Sequence, residues 1–314
     1  MAVWLLHDNY DYINEVNYIS ATSLLRPIKQ IILAKHVLAE DKTMDVSERI
    51  SASLGNAIHD SLEAAWKDTE GRARALRLLG YPQTVIDRLA VNPTEDYLKE
   101  HPDCLPVWLE YRQFKEINGF KIGCKLDMIL DKRLFDTKST SVFTYIKDRK
   151  LEDHALQLSI YRWVNPDLIE GDHGYIQFVF TDWQKFMMNT VENYPQLRIQ
   201  EQAVAFKSIQ ETESFIVNKT NQIRNLWDAT EEDLPECTDK DLWRGDTEYK
   251  YYSDPVKAAE GGRSTRNFGT SKVDAQAFMA EKGKGVIKEF PGQVKACAYC
   301  PAYKACKQKD QYDV

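Results

Sequence analysis

Residues 107–139, VWLEYRQFKEINGFKIGCKLDMILDKRLFDTKS, constrain the fold more than any other part of the chain. Their apolar and polar residues alternate in period-two stretches, separated by turn signals at Asn118-Gly119 and Asp131-Lys132. That pattern predicts a three-stranded antiparallel meander. Helical patterns precede it. Residues 20–40 open with hydroxyl side chains suited to an N-cap and continue with apolar residues at helical spacing, Pro27 falling in the first turns. A second helix is predicted over residues 46–68, with a stripe of Ile50, Leu54, Ile58, Leu62 and Trp66. A helical linker follows to about Tyr97, broken at Gly80-Tyr81-Pro82.

After the meander, a helix is predicted from about Leu151 to Val164, ending before Pro166. GYIQFVFTDW at 174–183 reads as a central strand, a short strand follows near Arg198, and a long helix spans residues 201–230. Helices, meander, helix, strand and helix make an α/β (α+β) domain with a mixed sheet flanked by helices. From about residue 234 the texture becomes irregular and poor in core residues, with a basic loop at GGRSTR (261–266) and one amphipathic helix over 272–282. The expected organisation is therefore a core over 1–233, with helices at about 20–100 and the meander region at about 107–165, and a C-terminal region over 234–314.

The 314 residues suit one large domain or two smaller ones. Hydrophobic residues make up 43% and charged residues 28%, which excludes disordered and collagen-like classes. No apolar run approaches the roughly 20 residues of a membrane span. The apolar stretch at residues 2–6 has no basic region before it, so a cytoplasmic protein with no membrane partner is expected. Net charge is −7, but unevenly spread: residues 241–314 hold 13 Lys and Arg against 10 Asp and Glu, the remainder 28 against 38. This allows local phosphate binding on an acidic body, or simply a solvated mixed-charge surface.

The chemistry concentrates in the meander. Asp127 ends one strand-like run, and Asp136-Thr137-Lys138 lies on the next, a spacing that brings the two carboxylates together in a hairpin. Asp136 and Lys138 share a face because strand periodicity is two. Two carboxylates beside a lysine suit a hard divalent cation, Mg²⁺ or Mn²⁺, that polarises a phosphodiester and activates water. His59 and Glu63, four apart on the second helix, share a face, with Gly55 one turn earlier allowing close approach to another backbone. Gln157 and Tyr161 are likewise four apart, and Glu110 opens the meander. Each has a plain alternative: a hydrogen-bonded core histidine, ordinary helix packing, a carboxylate paired with a lysine.

The order Gly55-x-x-x-His59, Gly123-x-x-x-Asp127, Asp136-x-Lys138, Gln157-x-x-x-Tyr161 resembles the PD-(D/E)XK nuclease superfamily, in particular its RecB-type exonuclease branch, which includes CRISPR-associated RecB-like and AddB-like nucleases. Phage-encoded exonucleases are most similar in layout. The resemblance implies a restriction-endonuclease-like core. It implies a metal held by His59, Asp127, Asp136 and the Thr137 carbonyl, with Lys138 as catalytic lysine and Gln157 and Tyr161 supporting the site or touching DNA. The implied activity is metal-dependent DNA exonucleolysis in recombination, repair or degradation, on single-stranded DNA or duplex ends. A homo-oligomer or a recombination or helicase partner fits this class, and the chain carries no G-x-x-x-x-G-K-[ST] of its own.

Six cysteines include Cys297, Cys300 and Cys306 in CAYCPAYKAC, a clustering that suggests metal rather than disulfides in a cytosolic protein. The resemblance extends to this tail and implies a [4Fe-4S] cluster, Zn²⁺ being the alternative for four thiolates. Relatives carry their fourth cysteine near the first helix, where this chain has Arg26-Pro27, so Cys237 is the expected fourth ligand. Interleaved Tyr249, Tyr251, Tyr252, Arg263 and Arg266 suggest a single-strand stacking surface, with core packing as the alternative for the tyrosines. Two other functions compete: a catalytically silent DNA-binding or assembly subunit on the same fold, and a redox or metal sensor centred on the cysteines.

Overall fold

A computed structural model of the protein describes residues 1–7, 11–38, 45–147 and 150–312. The chain forms two compact units, one of residues 1–25 and 43–222, the other of residues 26–42 and 223–314.

The first unit is built on a seven-stranded mixed sheet, with β1 (Tyr18–Ser20), β2 (Leu89–Val91), β3 (Leu105–Ile117), β4 (Phe120–Leu130), β5 (Arg133–Thr140), β6 (His173–Phe180) and β7 (Ile199–Ala205). Strands β2 to β7 lie side by side in chain order, and β1 pairs in parallel with β4. The meander is antiparallel as expected. Asn118 and Gly119 both have positive φ, as do Asp131 and Lys132, the conformation that matches hairpin turns to strand twist. Strand β6 runs parallel to β5, which requires the crossover supplied by helix Leu151–Val164. That helix packs on β3, β4 and β6 through Leu158, Ile160 and Trp163, all essentially without solvent exposure. Helix Ile50–Lys67 packs against β5.

Several boundaries differ from expectation. The helix expected over 20–40 is split into Ala21–Leu24 and Ile28–Ala34, because Pro27 lacks the N–H that an unbroken helix needs there. Residues 39 and 40 of that expectation lie outside the described residues. The linker contains a short strand, β2, which pairs in parallel with β3. The helix expected from residue 201 runs over Ile209–Asn225, since residues 199–205 complete the sheet as β7.

In the second unit the expected helix appears as Lys272–Lys282 beside a sheet that the sequence did not signal. Its strands are β8 (Glu248–Tyr252), β9 (Arg266–Asn267) and β10 (Val286–Phe290), with β8 central. Central placement buries Tyr251 and Tyr252, and the Tyr251 hydroxyl donates to the Lys284 carbonyl at 3.0 Å. Tyr251 and Tyr252 are therefore core and not part of a stacking surface, whereas Tyr249 is half-buried. Arg266 stacks over Phe268 and Phe278 of the same unit.

Two glycines of the sequence motifs behave differently. A Cβ on Gly123 would fall 2.3 Å from the Tyr18 ring, which lies directly across β4. A Cβ on Gly55 would meet only the Ser139 hydroxyl, at 3.4 Å, an ordinary contact and not a close backbone approach. Gly55→Ala should therefore stabilise the protein, by about 0.4–1 kcal/mol through reduced unfolded-chain entropy. Gly123→Ala should destabilise it by about 1–3 kcal/mol through overpacking. Urea unfolding of the two variants checks this; a Gly55→Ala protein weaker than wild type would refute the packing described for helix Ile50–Lys67.

Candidate active site

The backbone ladder between β4 and β5 ends just before Asp127, and the ladder between β3 and β4 skips it. Toward β5, the pairing runs through Leu130↔Arg133, Ile129↔Leu134 and Met128↔Phe135 and goes no further. Toward β3, Leu109 pairs with Met128 and Tyr111 with Leu126, and the step between them is skipped. The skipped residue is Glu110, which has φ of 49°, a left-handed conformation costing a non-glycine residue on the order of 1–3 kcal/mol. In place of a backbone bond, the Asp127 carboxylate accepts the Thr137 N–H at 2.7 Å.

This local divergence gathers the site. His59 Nδ1, from helix Ile50–Lys67, stands 3.6 Å from Glu110 Oε1 and 3.7 Å from Asp127 Oδ2. One potential ligand atom from each of His59, Glu110 and Asp127 lies within 4.8 Å of the others. Thr137 lines the same opening, together with Glu63 and Gln177. Glu110 plays both parts foreseen for it, since its other oxygen pairs with Lys125 at 2.6 Å. Lys125 escaped the sequence reading; its signal was its place two residues before Asp127, on the same face of β4.

Asp136 is almost completely buried and outside that three-residue cluster. Its Oδ2 lies 2.7 Å from Lys138 Nζ but in no hydrogen bond of acceptable geometry. A buried carboxylate oxygen held this way, next to a cluster of histidine and carboxylates, fits a hard cation or a polarised water. Gln157 and Tyr161 are also buried, and the Gln157 side-chain amide donates to the Tyr161 hydroxyl at 2.7 Å.

The charges explain the titration of the group. Burial, reinforced by the Asp136 charge, pushes the Asp127 carboxyl up to about 7, against the pull of His59, Lys138 and the Thr137 N–H. The adjacent Glu110 carboxylate raises His59; burial opposes this and Asp127 adds to it. Burial works to raise Glu110, but contact with His59 and Lys125 outweighs it and leaves the carboxyl low. Burial likewise works to lower Lys138, yet Asp136 and Asp127 together hold it above an ordinary lysine, so it carries its charge. Burial, then the charges of Asp136 and Asp127, drive Tyr161 well above an ordinary phenol, so it is a neutral hydroxyl.

The cysteines gather in the second unit. Cys297 is buried with Leu242 and Val294, and Cys237 packs against this cluster. Gln308, itself buried, clasps the Cys237 backbone: it accepts the Cys237 N–H and donates to the Cys237 carbonyl, each at 2.9 Å. Burial, with Asp241 and then Cys306 and Cys300 nearby, pushes the Cys237 thiol up to about 12. Burial and the neighbouring Cys300 and Cys306 raise Cys297, and burial raises Cys300, with Arg26 pulling the other way. Arg26 is thus close enough to act on the Cys300 thiol. Among the described residues, no three cysteine thiols lie within 4.8 Å of one another. Cys124 is a buried apolar side chain, raised to about 11 by burial, and Cys104 is half-buried elsewhere.

No family model matches the chain, and no curated protein does. Among solved structures, the crystal structure of SSO0001 is 19% identical with a TM-score of 0.40, covering 67% of this chain and 78% of that one. A phage-related exonuclease from Haemophilus somnus 129PT is 16% identical with a TM-score of 0.26, covering 66% of this chain and 95% of that one. No helix among the described residues is long and apolar enough to cross a membrane.

Asp127 and His59 both have folded pKa values above their unfolded ones. The stability they confer on metal-free protein is fully present below the unfolded values, about 3.9 and about 6.5. It is lost as pH rises through about 7 for Asp127 and through the raised value of His59. A cation must displace those protons, so its binding should strengthen with pH by about tenfold or more per unit below neutrality. The rise in melting temperature caused by Mn²⁺ should therefore be several degrees larger near about pH 8 than near about pH 5.5. Equal rises at both, measured by scanning calorimetry, would exclude a metal site at these residues.

Proposed function

We propose that the protein is a metal-dependent DNA exonuclease that hydrolyses phosphodiester bonds with an activated water. The observation that carries this reading is the convergence of His59, Glu110 and Asp127 beside the buried Asp136–Lys138 pair. Mg²⁺ or Mn²⁺ held by His59, Asp127 and Glu110, with Asp136 and the Thr137 carbonyl beside them, would supply Lewis-acid polarisation of the phosphate and a low-pKa water. The chain's own residues do the rest. Lys138 keeps its proton, so it acts as a fixed positive charge on the phosphate and orients the water by donating to it. Asp136 anchors that ammonium at 2.7 Å. As the water oxygen bonds to phosphorus it gives up a proton to solvent, the bond to the departing sugar oxygen breaks, and that oxygen takes a proton from solvent. Tyr161, a neutral hydroxyl held by Gln157, lies in the field of Asp136 and Asp127 and braces their side of the site.

We further propose that Cys237, Cys297, Cys300 and Cys306 hold a [4Fe-4S] cluster with a structural role. Burial raises the thiols of Cys237, Cys297 and Cys300, so they become thiolates only with a metal to offset the charge. One tetrahedral Zn²⁺, with Zn–S near 2.3 Å, draws its sulfurs to within about 3.8 Å of one another. The C-x2-C-x5-C tail, which resembles that of cluster-binding nucleases, favours the cluster over Zn²⁺. Anaerobically purified protein should be brown, with iron and acid-labile sulfide in equal amounts, and Cys237→Ser should lose both. A colourless protein carrying one zinc would establish the alternative.

For the activity, end-labelled single-stranded and duplex DNA should lose label with Mg²⁺ or Mn²⁺ and not with EDTA. Asp127→Asn and Lys138→Ala should each slow this by at least about 100-fold. Folded, metal-loaded wild type that cleaves neither substrate would replace the exonuclease by a silent DNA-binding subunit.

A further inference from the structure

Lys138 lines a second opening besides the cation cluster. This cavity of about 90 Å³ is walled by Lys138, Ser139, Thr144, Lys150 and His154. It is far larger than the roughly 10–15 Å³ that a single water requires. Among the described residues no carboxylate lines it, whereas Glu63, Glu110 and Asp127 line the neighbouring opening. Two ammonium groups, hydroxyls and an imidazole suit a tetrahedral oxyanion. Burial and the Lys138 charge lower His154, so its imidazole is neutral at pH 7 and donates a single N–H.

Tyr145 and Gln202 belong to this cavity and also to a larger, open one of about 430 Å³. The further polar walls of the larger cavity are Asn193, Gln196 and Gln200. Among the described residues, none that lines it carries a formal charge. Carboxamides offer a donor and an acceptor side by side, the pattern presented by the edges of nucleobases, and a tyrosine ring offers a stacking face. Gln200 donates to the Tyr145 hydroxyl at 2.8 Å, which fixes amide and ring relative to each other.

We propose that the two adjoining cavities form one nucleotide subsite, the small one taking a phosphate and the large one an unpaired base. This rests on the exonuclease reading and deepens it: the strand end is held by its terminal nucleotide, with the base out of any duplex. A base still paired has its hydrogen-bonding edge occupied, so the subsite selects single-stranded or frayed ends.

The test is calorimetric titration of the full-length protein in EDTA with thymidine 5′-monophosphate, thymidine or inorganic phosphate. The nucleotide should bind at least about tenfold more tightly than either fragment. Lys150→Ala should reduce nucleotide binding to the level of thymidine. The double variant Asn193→Ala, Gln196→Ala should reduce it to the level of phosphate. Circular dichroism melts matching wild type would show that both variants are folded. If not, Lys150→Gln and Asn193→Asp serve instead, with the same expected losses. Nucleotide binding no tighter than phosphate, or unchanged in the folded variants, overturns the proposal. Because binding is read without a divalent ion, it separates from catalysis. Cleavage of DNA without this binding pattern sinks the subsite alone, and the binding pattern without cleavage sinks the exonuclease reading alone.

Discussion

The bond from the Thr137 N–H to the Asp127 carboxylate is the interaction on which the site depends. A central strand normally satisfies its backbone through its neighbours, and β4 does so against β3 at every step but one. At Asp127 a side chain takes over from the backbone. That substitution lets β5 leave β4 without stranding a buried N–H, and the departure makes room for side chains between them. On the other edge, the left-handed Glu110 breaks the β3 ladder at the same level. Strain and side-chain capping thus coincide across three strands, at the one level of the sheet where charged groups converge.

Convergence has an electrostatic cost that the surrounding charges only partly offset. Glu110 is matched by Lys125, and Asp136 by Lys138. Burial and the Asp136 charge outweigh the pull of His59, Lys138 and the Thr137 N–H on Asp127, which holds its proton to about neutral pH. The metal-free site is therefore a proton store. A cation would exchange charge for charge at His59 and Asp127 while leaving the lysine pairs intact. That division explains why Lys138 is available as a permanent positive charge and is unsuited to act as a base.

Much of this arrangement was legible in the residues, because it follows from short-range rules. Period-two alternation and the Asn118-Gly119 and Asp131-Lys132 turns define the meander, and the hairpin leaves Asp127 within reach of the Asp136 charge. Helix Leu151–Val164 was bounded by its pattern and by Pro166. What escaped depends on non-local packing. No local pattern marks Glu110 as left-handed, since that conformation is imposed by the ladders around it. Strand β8 reads as EYKYY, and its central place in a small sheet buries Tyr251 and Tyr252, the core alternative to an aromatic surface. Gly55 looked like a steric necessity, yet its nearest neighbour is a serine hydroxyl at ordinary distance.

The protein carries a net charge of −7 and still presents two ammonium groups, Lys138 and Lys150, to one small cavity. Long-range attraction to a polyanion cannot be the source of affinity on such a body, because the overall field opposes approach. For the exonuclease proposed above, affinity would arise at contact distance, where lysines and a bound cation would outweigh a diffuse negative background that salt screens within about 10 Å. Such a surface disfavours the long phosphate tracks of duplex-coating proteins and favours capture of a single exposed end. The acidic balance that argued against a general nucleic-acid coat is therefore consistent with an enzyme that holds DNA by one terminus.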